Sequence, residues 1–209
     1  MGKRLLFLGV FFSVLIVTFV YFVYKDEDLS KSLLPVLNDN VQNFSFINQD
    51  GKQLTEANVE GKVYVAEYFF TSCKGICPDM NNNMRIAYDE LKDEKDFYIL
   101  SHTSDPETDS VPQMKHYADS MKVDTKKWIF LTGRKDSLYN AARVSYTVDD
   151  PANNLVNIDD QFIHSQFWAL VDRNGDVRKI YDGLKEKEVR QMIKDARIWL
   201  KKEVKKPLQ

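Results

Sequence analysis

The two cysteines of the chain, Cys73 and Cys77, lie in the segment TSCKGICPDM, with a proline directly after the second. A thiol pair at this spacing can form a structural disulfide, exchange disulfides with a partner, or supply two ligands to a metal ion. The loop that a disulfide between them would close is very short, and the entropic stabilisation from a cross-link grows with loop length. The pair is therefore better suited to chemistry than to stapling a fold.

The residues around the cysteines predict reactive thiols. Pro78 is placed where a helix can begin, and the free N–H groups and partial positive charge of a helix N-terminus stabilise a thiolate. Lys74 adds a positive charge between the cysteines. Redox pairs of the thioredoxin type have two intervening residues, whereas this pair has three, which leaves room for an ion. Two soft thiolates suit Cu(I), but disulfide exchange stays open as well.

Imidazole also suits copper, so each of the three histidines is a candidate third ligand. His116 lies beside Tyr117 on a predicted helix, and we interpret it as a surface residue. His102 lies near the carboxyl end of a predicted strand, where sites gather in parallel sheets, and is a weaker candidate. His164 follows the polar loop TVDDPANNLVNIDDQ, placed where a further strand is predicted to begin, and a loop of that length indicates function or mobility.

Other residues with suitable chemistry have structural interpretations. Met80 and Met84 are soft enough to bind copper, but they recur at helical spacing and are predicted to fill the core. The acids of the segment DPETD could hold a hard metal ion. We interpret that segment instead as a turn around Pro106, followed by a helix start near Asp109 or Ser110.

The elements that hold these residues follow from hydrophobic periodicity and turn signals. Hairpins are predicted at Asp50-Gly51 and at Asn174-Gly175. Between them we predict strands over 63–70, 97–104 and 128–132 and helices over 78–93, about 109–122 and 135–143, with a last helix from Val189 to Leu200. This order predicts an α/β fold with a mixed, mainly parallel central sheet, flanking helices and an N-terminal β-hairpin. Cysteines between a strand and a helix suit a thioredoxin-like domain.

The first residues predict a membrane anchor. The run from Leu5 to Tyr24 contains no charged residue over 20 positions, and a helix of that length spans about 30 Å, the thickness of a hydrocarbon core. A cleavable signal peptide, the alternative, has a shorter apolar core and a small-residue cleavage site. Lys3 and Arg4 place the N-terminus in the cytoplasm. We therefore predict a cytoplasmic segment 1–4, a transmembrane helix 5–24, a linker 25–42 and one domain 43–209.

Charge and compartment limit the function classes. The formal net charge is −2, and nothing in the sequence indicates nucleic-acid binding; the lysine-rich end KKEVKKPLQ is interpreted as a solvated helix end. The predicted orientation puts the domain outside the cytoplasm, where thiols can oxidise and disulfides persist. We predict a bacterial periplasm, with a mitochondrial intermembrane space as the alternative.

Four segments, in order, resemble the Sco/SenC family of thioredoxin-fold copper chaperones for cytochrome c oxidase: YFFTSCKGICPDM, ILSHTSDPETDSVPQMKHYA, KWIFLTG and HSQFWALVDRNGDVRKIYDG. The resemblance runs from about Asn43 to Leu200. It implies that Cys73, Cys77 and His164 bind copper as Cu(I), and often Cu(II). It also implies delivery of copper to subunit II of cytochrome c oxidase or another copper acceptor, reduction of that acceptor's cysteines, or both.

Two positions depart from the pattern of the family. Lys74 stands where many members have proline, and it would favour thiol reduction by stabilising a thiolate without metal. Ile163 stands where many have an aspartate that could orient the imidazole, an interaction that ligating histidines usually make. Asp159 or Asp160 could replace that carboxylate from the loop, and Asp79 is a candidate outer-shell acid.

The sequence leaves three functions open. The first is a membrane-tethered copper chaperone. The second is a thiol–disulfide oxidoreductase, in which Cys73 and Cys77 form the redox pair and His164 has no role. The third is a redox-inert binding domain. Whether the protein is an enzyme stays open, although a thioredoxin-fold peroxidase is disfavoured because the sequence contains no separate resolving cysteine.

Overall fold

The computed structural model describes residues 2–25, 34–39, 41–152 and 157–202. It divides into two units, residues 1–35 and 36–209. Residues 26–33 and 40 of the predicted linker lie outside the described part, and so do residues 153–156 of the long loop and residues 203–209 of the lysine-rich end.

The first unit contains helix α1, Gly2–Lys25. Among the described residues, no helix combines the length and the apolar character that a membrane crossing requires. The transmembrane helix 5–24 therefore stays a prediction.

The second unit contains one seven-stranded sheet with helices. Its elements are β1 Ser45–Asn48, β2 Gln53–Thr55, α2 Glu56–Val59, β3 Val63–Phe69, α3 Cys77–Leu91, β4 Phe97–Thr103, α4 Val111–Met121, β5 Trp128–Thr132, α5 Lys135–Asn140, β6 Phe167–Val171, β7 Val177–Asp182 and α6 Glu186–Leu200. A π-helical turn, Ala141–Ser145, continues α5, and a 3-10 turn, Ile158–Asp160, lies before β6. The strand order is β2-β1-β5-β4-β3-β6-β7. The predicted mixed α/β class with an N-terminal hairpin is confirmed.

The prediction of a mainly parallel sheet is correct only for the centre. Strands β3, β4 and β5 pair in parallel, because helices connect them and carry the chain back across the sheet. The neighbouring pairs β1–β2, β1–β5, β3–β6 and β6–β7 are antiparallel. The two predicted hairpins account for the outermost pairs, and Gly51 and Gly175 turn them with positive φ angles of 73° and 82°.

Strand β3 lies inside the sheet between β4 and β6, and all seven of its residues are buried. On one face Tyr64 and Tyr68 belong to the main hydrophobic cluster. On the other face the rings of the β5 residues Trp128 and Phe130 contact tyrosines of α3 and α4. Met80 and Met84 are 1% and 0% exposed, so their prediction as core residues is confirmed. Burying such side chains contributes about 1.5–3 kcal/mol each, which makes β3 a rigid support for the residues that follow it.

Candidate metal centre

Cys73, Cys77 and His164 line one pocket at the carboxyl end of β3. The pocket is open to solvent, and its other lining residues are Tyr68, Phe69, Phe70, Ile76, Ser104, Ile163 and Ser165. Because β6 pairs antiparallel to β3, the loop that enters β6 lies beside the loop that leaves β3. Sheet topology thus brings residues about 90 positions apart in sequence to one pocket.

The chain leaves β3 in a short turn that carries the first cysteine. The backbone N–H of Cys73 donates a hydrogen bond to the carbonyl of Phe70 at 3.2 Å. Helix α3 begins at Cys77 with Pro78 in its first turn, one residue earlier than predicted. Cys73 is half-buried, Cys77 is buried, and both are free thiols.

Asp109, which follows β4 in the chain, holds this turn by hydrogen bonds. Its buried carboxylate accepts hydrogen bonds from the backbone N–H of Thr71 at 3.1 Å and from the hydroxyl of Thr71 at 2.5 Å. It also accepts one from the hydroxyl of Thr103 at 2.5 Å. Of the two residues that we predicted near the helix start, Ser110 is the N-cap of α4. Sequence reasoning missed the role of Asp109, because Thr71 is 38 positions away in the chain.

The two thiols line the same pocket, and the environment of Cys77 opposes its ionisation. Burial raises the pKa of Cys77 to about 12, and the neighbouring Cys73 acts in the same direction, while a hydrogen bond with the backbone of Phe70 acts against them. The prediction that the helix N-terminus favours a thiolate is therefore wrong for Cys77. Loss of hydration outweighs the attraction of the helix dipole, which is a smaller effect.

His164 lies in the loop before β6, three residues earlier than the first strand residue, whereas we predicted a strand beginning at His164. Its side chain is exposed, but both of its neighbours point inward. Ile163 is 2% exposed and belongs to the hydrophobic cluster. The hydroxyl of Ser165 donates to the carbonyl of Val148 at 2.6 Å. A carboxylate at position 163 would be buried there, which gives a structural reason for the isoleucine.

The predicted outer-shell residues are exposed. Lys74 lies between the cysteines, Asp79 lies in the first turn of α3, and Asp160 lies in the 3-10 turn. None of these three residues is among the described residues that line the pocket. Their roles at the site stay predictions.

The other two histidines have structural surroundings. His102 is fully buried, and its ring stacks on Tyr68 at 5.1 Å and 17°. Burial lowers its pKa to about 4, so it is a neutral core residue at physiological pH. His116 is exposed on α4, which confirms its interpretation as a surface residue.

Glu67 is a buried acid in the middle of β3. Its Oε1 accepts a hydrogen bond from the Ser101 hydroxyl at 2.5 Å, and that hydroxyl accepts one from Nε1 of Trp128 at 2.7 Å. Its Oε2 is buried without a hydrogen-bond partner among the described residues. Burial raises the pKa of Glu67 to about 7. The signal that sequence reasoning missed is one acid within the apolar strand VYVAEYFF.

The donor set of the pocket suits a soft ion, because two thiols and an imidazole are the ligands that Cu(I) prefers. Within the described ranges, no group of three His, Cys, Asp or Glu side chains is gathered closely enough to hold a metal ion. Copper binding would therefore require His164 and the thiols to draw closer together. The exposed side chain of His164 leaves that movement open.

Comparison with known proteins gives a consistent result. The family model described as SCO1/SenC matches residues 36–201. The chain is 34% identical over 165 residues to the SCO1 protein homolog of Bacillus subtilis. The aligned region covers 77% of this chain and 83% of that protein.

Two solved structures share the fold. A structure of BsSco, described as a member of the Sco family of cytochrome c oxidase assembly proteins with a disulfide switch, has a TM-score of 0.67 and 32% identity. The superposition covers 80% of this chain and 97% of the BsSco chain. Arabidopsis thaliana ScoI, solved with copper bound, has a TM-score of 0.57 and 28% identity, covering 76% of this chain and 98% of that chain.

Proposed function

The chain belongs to the SCO1/SenC family, and from this premise we propose that it is a membrane-anchored copper metallochaperone. Cys73, Cys77 and His164 bind one copper ion, as Cu(I), Cu(II) or both. The protein supports assembly of the copper site of cytochrome c oxidase subunit II, or of another copper acceptor. Residues 5–24 anchor it in the inner membrane of a bacterium, with residues 1–4 in the cytoplasm and the domain in the periplasm.

One observation carries the proposal: two thiols and one imidazole line the same pocket. Thiolate and imidazole ligands suit copper better than they suit hard cations. The related Arabidopsis protein was solved with copper bound, and BsSco is described as belonging to a family of cytochrome c oxidase assembly proteins.

The different exposure of the ligands suggests how copper is taken up and released. Each thiol that binds copper gives up its proton. Burial raises the pKa of Cys77 to about 12. The proton of this thiol is therefore the one that copper displaces with most difficulty. Cys73 is half-buried and His164 is exposed. An acceptor protein can therefore reach copper from the side of Cys73 and His164, while Cys77 holds it from within.

Copper titration of the purified full-length chain in detergent tests the proposal. We expect one copper ion per chain, loss of tight Cu(I) binding in Cys73→Ser and Cys77→Ser, and clearly weaker Cu(II) binding in His164→Ala. His116→Ala is the matched control, because His116 is an exposed histidine on α4. Copper binding that is indifferent to all three ligand substitutions would rule the proposal out.

A thiol–disulfide oxidoreductase is the second candidate, because the two thiols line the same pocket and BsSco is described with a disulfide switch. In this role the pair would exchange disulfides with a partner's cysteines without copper, and His164→Ala would leave its rate unchanged. The reduction potential of the Cys73–Cys77 pair, measured against glutathione buffers, tests it. A potential in the range of catalytic disulfides, about −270 to −120 mV, together with negligible copper affinity, would favour this role over copper binding.

A further inference from the structure

The ring of His164 forms a three-ring cluster with two phenylalanine rings at the mouth of the pocket. Phe162 lies against it with the ring centroids 4.6 Å apart and the planes tilted by 37°. Phe70 meets it edge-on at 5.8 Å and 85°. The two phenylalanines also contact each other edge-on at 5.0 Å and 88°. We call these two phenylalanines the aromatic bracket.

The aromatic bracket links the imidazole to the cysteine turn. The carbonyl of Phe70 accepts the hydrogen bond of the Cys73 N–H, and Phe70 lines the same pocket as Cys77. The ring of the same residue contacts His164. Phe70 therefore contacts Cys73 through its backbone and His164 through its ring.

The backbone on both sides of His164 is anchored independently of the bracket. The N–H of Ile163 donates to the hydroxyl of Tyr139 at 3.4 Å, and Ser165 is tied to the carbonyl of Val148. The remaining freedom of His164 is the rotation of its side chain. Within the described part of the chain, the contacts recorded for the imidazole are aromatic and include no hydrogen bond.

A ligating histidine is usually oriented by a carboxylate or carbonyl that accepts its second ring N–H. Here the residue before it, Ile163, is apolar and buried. Phe162, in contrast, is 42% exposed, and its ring contacts those of Phe70 and His164. A large apolar side chain that remains half in water contributes little to a core, whereas its contact with His164 bears directly on the site.

We propose that Phe162 is a positioning residue, which with Phe70 keeps the His164 imidazole at the pocket mouth, from where it moves to join the two thiols on copper. This inference rests on the proposed copper function. The restraint reduces the freedom that the side chain must lose when it binds the ion. Aromatic packing replaces, in this chain, the hydrogen bond that orients other ligating histidines.

The first test is made without copper. Histidine-selective ¹³C labelling of the full-length chain in detergent gives one ring signal from each of its three histidines, and His164→Gln identifies the one from His164. We expect Phe162→Leu to move the His164 signal towards that of a free imidazole and to increase the mobility of its ring, because a neighbouring aromatic ring shifts and restrains it. Phe162→Tyr keeps the ring and should keep the signal.

The second test measures Cu(II) affinity and the electron paramagnetic resonance spectrum of bound Cu(II). We expect Phe162→Leu to raise Kd about two- to tenfold, the factor that corresponds to one aromatic pair, and to change the spectrum, with Phe162→Tyr restoring both. Phe167→Leu is the matched control, because Phe167 is 44% exposed and its ring forms no stacking pair with His164 among the described residues.

The outcomes separate the two proposals. A wild-type chain that fails to bind copper contradicts the proposed function, whereas the copper-free spectra still report on the bracket. An unchanged His164 signal in Phe162→Leu overturns the bracket. A shifted signal with equal or tighter copper binding overturns its positioning role.

Discussion

The carboxylate of Asp109 accepts a hydrogen bond from the backbone N–H of Thr71 at 3.1 Å, although 38 positions separate the two residues in the chain. Thr71 lies in the turn between β3 and the first cysteine, and Asp109 lies just before α4. The loop that presents Cys73 is thus fixed by a residue from another connection of the sheet. This arrangement makes the shape of the candidate metal centre depend on the packing of two loops.

Replacing Asp109 should destabilise the protein and loosen the cysteine turn. Asp109→Ala leaves the N–H and hydroxyl of Thr71 and the hydroxyl of Thr103 without their acceptor, and each such loss in a buried site costs about 1–3 kcal/mol. We expect a loss of at least about 2 kcal/mol in the free energy of unfolding, measured by urea denaturation, and weaker Cu(I) binding.

The matched control for that experiment is Asp119→Asn. Asp119 has an exposed carboxylate that pairs with Lys115 at 3.3 Å. Surface pairs of this kind contribute about 0–1 kcal/mol. A change in Asp109→Ala that is no larger than the change in Asp119→Asn would contradict the anchoring role of Asp109.

Glu67 should make the protein less stable as the pH rises. Burial raises its pKa from 4.5 to about 7, so between these values the folded state keeps a proton that the unfolded state releases. Stability therefore falls as the pH rises through this window, and the full penalty is present above about pH 7. We expect Glu67→Gln to gain stability relative to the wild type from pH 5 to pH 8, by about 3 kcal/mol at most.

His102 works in the opposite direction, which offers an internal check on the Glu67 experiment. Burial lowers the pKa of His102 from 6.5 to about 4. Between these pH values the histidine is protonated in the unfolded state but neutral in the folded state. The free energy of unfolding therefore falls as the pH falls. In Glu67→Gln the unfolding free energy should therefore rise with pH between about 4 and 6.5. Glu107→Gln, which changes an exposed carboxylate, should leave the wild-type pH profile unchanged.

The two thiols should differ in reactivity. Cys73 is half-buried, whereas Cys77 is buried, and burial raises the pKa of Cys77 to about 12. Because the thiolate is the nucleophile, we expect iodoacetamide to modify Cys73 at least about ten times faster than Cys77 at pH 8. Mass spectrometry of timed samples, with Cys73→Ser and Cys77→Ser reporting each thiol alone, measures the two rates. Equal rates would show that the pocket does not shield Cys77.

Two glycines should respond differently to the same substitution. A Cβ at Gly183 would lie 2.3 Å from the fully buried ring of Trp168, whereas a Cβ at Gly75 would meet nothing within 4 Å. We expect Gly183→Ala to cost about 1–3 kcal/mol of stability, because the indole cannot move aside without disturbing the core. Gly75→Ala should change stability by less than about 0.5 kcal/mol. Thermal unfolding of both variants would test this contrast, and similar melting temperatures would refute it.

Local features of the fold were predictable from sequence because they depend on neighbouring residues. The runs of apolar and aromatic residues in VYVAEYFF and WIFLT indicate strands, and the structure has β3 at Val63–Phe69 and β5 at Trp128–Thr132. Asp50-Gly51 and Asn174-Gly175 indicate turns, because a glycine adopts positive φ without strain. Strand pairing was less predictable, and the antiparallel partners of β3 and β5 made the sheet less parallel than expected.

The sequence by itself determined that two cysteines stand between a strand and a helix, because spacing, proline and periodicity act over a few residues. Only the tertiary structure decided what surrounds them. The antiparallel pairing of β6 with β3 brings His164 to the cysteine pocket, and the burial of Cys77 reverses the effect expected from its helix N-terminus. The hydrogen bond of Thr71 to Asp109 and the ring contact of Phe70 with His164 are further contacts that the tertiary structure decided. Such contacts join segments far apart in the chain, and burial, which sets their strength, is a property of the whole fold.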